Sequence, residues 1–145
     1  MTTENLWGAL PQPDQRRSPK QILREQAAIL SDATKNTLEG EVLTYHEKDA
    51  QGRIVLMLAI NAPTLGNYRF DVLTVHFDPL LFYPAAIGDK FTDQFIRVSS
   101  EEELVKALRT ILQSPRLREV IAALLRQATD EDSTLIAPPS DEIPF

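Results

Sequence analysis

Apolar residues recur at roughly helical spacing in three stretches of this chain and alternate with other residues in four or five shorter ones. The first helical stretch is Ile22, Leu23, Ala27, Leu30, Ala33 and Leu38. It is announced by Ser18-Pro19-Lys20-Gln21, where Ser18 can cap, Pro19 suits the first helical position and Gln21 completes a capping box. This spacing predicts a helix over 19–37. The second stretch, Leu104, Val105, Leu108, Ile111 and Leu112, follows Ser99 or Ser100 as cap. Acidic Glu101, Glu102 and Glu103 fall in its first turn, where the helix dipole favours negative charge. The third, Leu117, Val120, Ile121, Leu124 and Leu125, starts with the same cap-and-proline device at Ser114-Pro115.

Between the first and second helices the period shortens to two. Val42–His46 is β-prone and runs into a turn signal at Lys48-Asp49-Ala50-Gln51-Gly52. Ile54–Ile60 is apolar on both faces, as a central strand would be. Tyr68–Val75 alternates, Leu80–Tyr83 reads as a short strand stopped by Pro84, and Gly88–Asp93 as a polar loop. Phe95–Val98 reads as one more short strand. Short links between successive strands imply antiparallel pairing. The expected fold class is therefore α+β: an antiparallel sheet of four or five strands with one N-terminal and two C-terminal helices. Residues 18–129 form the expected domain. Residues 1–17 form an arm in which Pro11 and Pro13 block a continuous helix. Trp7 on that arm is expected to pack back on the core or on another subunit.

Charge sharpens this division. The chain has 145 residues, 21 acidic and 15 basic, for a net charge of −6. Five of the acidic side chains (Asp130, Glu131, Asp132, Asp141 and Glu142) follow Thr129, and no Lys or Arg does. The first 129 residues hold 16 acidic and 15 basic side chains, so the body is nearly neutral. Residues 130–145, rich in Asp, Glu, Ser and Pro, read as a flexible acidic tail. Two apolar islands interrupt it, Leu135-Ile136 and Ile143-Pro144-Phe145, and a purely solubilising tail has no need of them. The sequence has no cysteine, which excludes disulfides, thiolate metal sites and cysteine nucleophiles. Neither an apolar run of membrane length nor a secretory signal pattern is present, and the expected location is the cytoplasm, with no membrane partner.

Candidate chemistry is sparse. His46 and His76 fall on different predicted strands, and if those strands were neighbours they could meet near Asp71 or Glu47 as a metal site or a general base. No phosphate-binding glycine loop, zinc-protease motif or serine-hydrolase elbow occurs. No catalytic residue, metal or cofactor is therefore assigned. The carboxylate pairs Glu39/Glu41 and Asp89/Asp93 are expected in turns facing water. Arg16, Arg17, Lys20 and Arg24 cluster at the first helix, and Arg109, Arg116, Arg118 and Arg126 on the last two. Arg16, Arg17, Lys20, Arg24, Arg116 and Arg118 form a candidate patch for nucleic acid or for the acidic tail, with salt-sensitive contacts. The bland alternative is a solvated helix face. No aromatic residues interleave with these cations in the sequence, which argues against a stacking surface for single strands.

The last five residues, Asp141-Glu142-Ile143-Pro144-Phe145, carry the sharpest signal. They resemble the C-terminal tip of bacterial single-stranded-DNA-binding proteins, which typically end in acidic residues, an aliphatic residue, Pro and a terminal Phe. The body does not resemble their oligonucleotide-binding barrel, and Ser140 stands where the family usually has a further acidic residue. The resemblance implies that Phe145, Pro144 and Ile143 carry contact with tip-binding proteins of replication, repair and recombination, with Asp141 and Glu142 as electrostatic support. A terminal Phe with its α-carboxylate suits a small apolar pocket beside an Arg or Lys. Pro144 limits the conformational freedom lost on binding, and the acids speed encounter with a basic rim.

The function so implied is that of a non-enzymatic bacterial or phage accessory protein of DNA metabolism, docking by its tip. The alternative is a protein-interaction module, such as an immunity protein, toxin inhibitor or chaperone-like adaptor, whose tail only solubilises. An enzyme built on His46, His76 and Asp71 is a third reading.

Overall fold

Each α-helix begins where a serine oxygen takes up an otherwise unpaired backbone N–H. Ser18 Oγ accepts from Gln21 N at 3.1 Å, Ser100 Oγ from Glu103 N at 3.2 Å, and Ser114 Oγ from Leu117 N at 3.3 Å. The computed structural model describes residues 3–133. In chain order it comprises α1 (Pro19–Ala33), β1 (Glu39–Thr44), β2 (Ile54–Ala62), a one-turn 3-10 helix (Pro63–Leu65), β3 (Tyr68–Phe77), β4 (Ala85–Asp89), β5 (Gln94–Val98), α2 (Glu101–Leu112) and α3 (Pro115–Ser133). The five strands pair antiparallel in chain order, a simple meander. The fold is α+β, as the alternating patterns predict.

The core joins one face of the sheet to the helices. Leu56, Leu58 and Ile60 of β2, Leu73 and Val75 of β3, and Ile87 of β4 pack with Ile22 and Leu23 of α1, Leu104 and Leu108 of α2, and Leu117 and Leu124 of α3. β2 is an interior strand, between β1 and β3, and Val55, Met57 and Ala59 on its other face are buried as well. That burial explains its unbroken apolar sequence. A register shift at Leu58/Ala59 pairs Leu58 with Leu73 but Ala59 with Asp71. Val72 is the extra residue, and the bulge turns both Val72 and Leu73 into the core. Simple alternation along β3 therefore fails at this point.

Several boundaries differ from the sequence expectation, two of them because a side chain bonds the backbone. α1 ends at Ala33, not near 37, because the Thr34 hydroxyl takes over the chain. It donates to Leu30 O at 3.0 Å and accepts from Leu38 N at 3.1 Å, and Lys35 and Asn36 follow with φ of 52° and 64°. Leu38 is fully buried, but as the lead-in to β1. The expected strand over Leu80–Tyr83 is a turn. Asp78 Oδ1 accepts from Leu80 N and Leu81 N, both at 2.8 Å, and Asp78 O accepts from Phe82 N at 2.9 Å. The fourth strand lies instead at Ala85–Asp89, partly in the segment read as loop. Glu39 and Glu41 lie on β1 rather than in a turn. α3 continues to Ser133, four residues into the segment expected as tail, and residues 134–145 lie outside the described residues.

The seat of α1 on β1 depends on Gly40. A Cβ at this position would stand 2.5 Å from both Cα and O of Ala27. The helix backbone therefore rests on the strand where any side chain would push it off. Gly40→Ala is expected to cost about 1–3 kcal/mol, the range for overpacking a rigid contact, read as a lowered denaturation midpoint with an unchanged slope. A midpoint unchanged within error would show that α1 shifts freely on the sheet.

Candidate interaction surfaces

The arginines expected to form one patch are separated by what they bind. Arg16 pairs with Asp14 at 2.8 Å, donates to Leu80 O at 3.2 Å and lies 4.7 Å from the centre of the Phe82 ring. It thereby ties the N-terminal arm to the turn after β3. Arg17 pairs with Glu25 and, at 3.6 Å, with Glu101 at the start of α2. Beside it, burial together with Glu101 pushes the Tyr83 hydroxyl up to about 12, only partly offset by Arg17. Arg116 covers the Phe91 ring at 4.7 Å, and Arg118 Nε donates to Gln113 O at 3.3 Å. Aromatic partners for two of these cations thus come from distant segments. Lys20, Arg24 and Arg109 have no side-chain partner among the described residues. Trp7 does not pack on the core: it is 83% exposed, as are most side chains of the arm.

Two adjoining hollows open on the helical side. One, of about 300 Å³, lies between α1 and α2 and is lined by Arg17, Ile22, Gln26, Leu108, Arg109 and Leu112 among others. The second, of about 440 Å³, lies between α1 and α3 and reaches the sheet. Its walls are Ile29, Leu30 and Ala33 on one side and Leu117 and Ile121 on the other, with Leu58, Ile60 and Val72 as floor. Gln26 and Leu112 line both. Arg118 stands on the second hollow and Arg17 and Arg109 on the first, and neither hollow has an acidic side chain in its lining. The apolar floor of the second hollow, with Arg118 as the charged residue of its lining, suits an apolar ligand that carries negative charge; Arg17 and Arg109, on the first hollow, also border Glu101, Glu102 and Glu103. Spacing along the sequence gave no sign of this cleft, because its two walls come from helices separated by the whole sheet.

The histidines do not meet. His46 follows β1 and is exposed, His76 is on β3, and β2 lies between those strands. The partner of His76 is neither Asp71 nor Glu47 but Asp49, with Nδ1 at 2.9 Å from Oδ2. Asp71 pairs with Arg69 at 3.1 Å. Asp49 also accepts from Gln51 N and Arg53 N, each at 2.9 Å, and from Arg53 Nε at 2.8 Å. Its carboxylate is thereby saturated. It folds the β1–β2 loop on itself and pins that loop to β3. Burial pushes the Asp49 carboxyl up, but the hydrogen bonds from Arg53, His76 and Gln51 outweigh it and hold the group well below the usual carboxylate range. The Phe95 ring meets the His76 imidazole edge-on at 5.3 Å, over a shallow hollow of about 250 Å³ on the side of the sheet away from the helices. The turn signal at 48–52 marks the loop, but nothing in it foretells that Asp49 reaches β3.

Among the described residues no group of three or more His, Asp or Glu side chains is placed to hold a metal ion. None of the described helices is long and apolar enough to cross a membrane. The tip residues Asp141, Glu142, Ile143, Pro144 and Phe145 lie outside the described residues. No family model, curated protein or solved structure matches the chain.

The Asp49 assignment has a pH signature. Asp49→Asn is expected to lose about 1–3 kcal/mol of stability at pH 7, since several donors lose a charged acceptor. A carboxyl whose pKa is depressed on folding contributes in full above its unfolded value near 4, and that contribution fades as pH falls toward the folded value. The gap between the parent and Asp49→Asn, measured by denaturant titration, should therefore narrow from pH 5 down to pH 2. A gap constant across that range refutes the assignment.

Proposed function

We propose that this chain is a non-enzymatic accessory protein of DNA metabolism, bacterial or phage-encoded, that docks Asp141–Phe145 into pockets which receive the tip of single-stranded-DNA-binding proteins. The observation that carries this reading is the sequence Asp141-Glu142-Ile143-Pro144-Phe145 itself. Ile143 and Phe145 supply apolar area, Pro144 reduces the conformational freedom to be lost, and the two acids complement a basic rim. The body supports the reading from the other side. Its histidine–aspartate pair holds a loop, and Arg16, Arg17 and Arg116 tie segments together, so that in this reading the folded domain carries and positions the tail.

A second reading draws on a different feature, the exposed apolar residues Leu6, Trp7 and Leu10 of the arm. These suit an interaction module that grips its partner through the arm, with the tail as solubiliser. The two readings separate experimentally. Under the first, Phe145→Ala weakens binding to a purified tip-receiving protein by at least tenfold, as expected for truncating an aromatic anchor, in a competition titration against a labelled tip peptide. Equal affinity of the two chains refutes the tip as the contact. Under the second, replacing residues 134–145 by a Gly/Ser stretch of equal length leaves partner capture intact, whereas Trp7→Ala abolishes it.

A further inference from the structure

The cleft between α1 and α3 and the tip have matching chemistry. The cleft presents a floor of core side chains (Leu58, Ile60 and Val72) to an opening walled by Ile29, Leu30 and Ile121. Ile29 is 57% exposed, so apolar surface continues out to the rim. The charged residue lining this cleft is Arg118, and those lining the hollow joined to it are Arg109 and Arg17, which on their other side border Glu101, Glu102 and Glu103. Arg17 is engaged by Glu25 and Glu101, and Arg118 gives its Nε–H to Gln113 O, which leaves Arg109 and the terminal N–H groups of Arg118 to face an incoming anion. The chain itself carries an apolar segment flanked by acids, Asp141-Glu142-Ile143-Pro144-Phe145.

Reach is sufficient. Ile121, on the wall of the cleft, lies on the same helix as Ser133, about 18 Å away at the helical rise. Residues 134–142 span about 30 Å when extended, so a chain that turns back along α3 brings Ile143 to the cleft. Proximity also favours the contact. A segment this short sets an effective concentration on the order of millimolar, enough to half-fill a site of millimolar intrinsic affinity. Leu135-Ile136 cannot serve instead, because only two residues separate Ser133 from Leu135 and Ile136 at most and the cleft is several turns away.

We propose that Asp141–Phe145 occupies the α1–α3 cleft of its own chain, with Ile143, Pro144 and Phe145 on the apolar floor and Asp141 and Glu142 toward Arg118 and Arg109. This rests on the reading of the tip as a docking segment and adds its regulation: the tip is sequestered until a partner pocket outcompetes the cleft. The cost to a partner is set by the occupancy of the cleft. If the tip is free in only a fraction of molecules, apparent affinity for the partner falls by that fraction.

The absence of cysteine makes the test direct. A nitroxide is attached to Ser140→Cys in the full chain, and paramagnetic broadening is read on the amides of Ile29, Arg118 and Ile121. Strong broadening at these three, with little at β5 on the far edge of the sheet, is expected. Phe145→Ala in the labelled chain should remove most of it. Arg118→Glu, a change on an exposed side chain that should not affect folding, should weaken it about fivefold or more at low salt, and half-molar salt should do the same to the parent. No selective broadening at the cleft overturns the proposal. Broadening that appears only between labelled and isotope-enriched copies in a mixture overturns it too, in favour of a second copy as occupant. The same chains, titrated with a tip-receiving protein, keep the two claims apart. Arg118→Glu should tighten that binding severalfold. A parent chain that binds the partner but shows no broadening removes the sequestration alone. Broadening with no partner binding removes the docking function and leaves the cleft contact standing.

Discussion

Gly40 lacks a side chain because the backbone of Ala27 occupies the space where one would be. This contact sets how α1 lies on the sheet, and much of the remaining architecture follows from it. Drawn onto β1, α1 covers Leu56, Leu58 and Ile60 from one edge. α2 approaches from the opposite edge, near β4 and β5, and α3 rests on the 3-10 turn and on Phe70 of β3. The three helices share the core, and the hollow between α1 and α3 opens beside this contact, with Ala27 and Gly40 in its lining. A bulkier residue at position 40 would lift α1 and change the shape of that space as well as the stability of the fold.

The elements were legible where the signal was local. A serine, a proline or acidic first turn and an apolar stripe placed all three helix starts, and a doubly apolar run marked β2 as a strand paired on both sides. The misplacements share a cause, competition from side chains that bond the backbone. Thr34 stops α1 while apolar spacing continues to Leu38, and Asp78 converts an apolar run into a turn. β4 was obscure because Ala-Ala-Ile-Gly-Asp has weak strand character by itself. It is held by pairing on both sides, and Gly88 leaves room for Phe95 and the Thr74 hydroxyl, either of which a Cβ would crowd. The bulge at Leu58/Ala59 has no marker in the residues that form it.

The sites were less legible, because they join residues far apart in the chain. Asp49 and His76 lie twenty-seven positions apart and meet through the order of the strands. Arg16 finds Phe82, and Arg116 finds Phe91, in the same way. Counting cations along the sequence suggested one basic patch. In space each of several arginines has a local duty to an acid, a ring or a carbonyl. A free-standing electrostatic surface needs charges without such duties, and Lys20 and Arg24 are the members of the expected patch that fit that description among the described residues.

That distinction bears on how the two ends of the charge distribution work together. A body with a net charge of −1 exerts no general pull on an acidic segment, so long-range attraction cannot localise the tail. Any contact must come from a short-range match: apolar area against a groove, with one or two charges across a rim. Such matches are weak when the partners are separate molecules and substantial when they are joined, since the connecting segment replaces the entropy of association by a much smaller cost of closure. The same logic limits the strength that is useful. A cleft that held the tip a thousandfold too well would silence it, whereas one that fills by half costs a partner only a factor of two. The modest, open and partly polar character of this cleft, with Gln26 and Gln113 among the residues of the joined hollows, lies at the reversible end of that range.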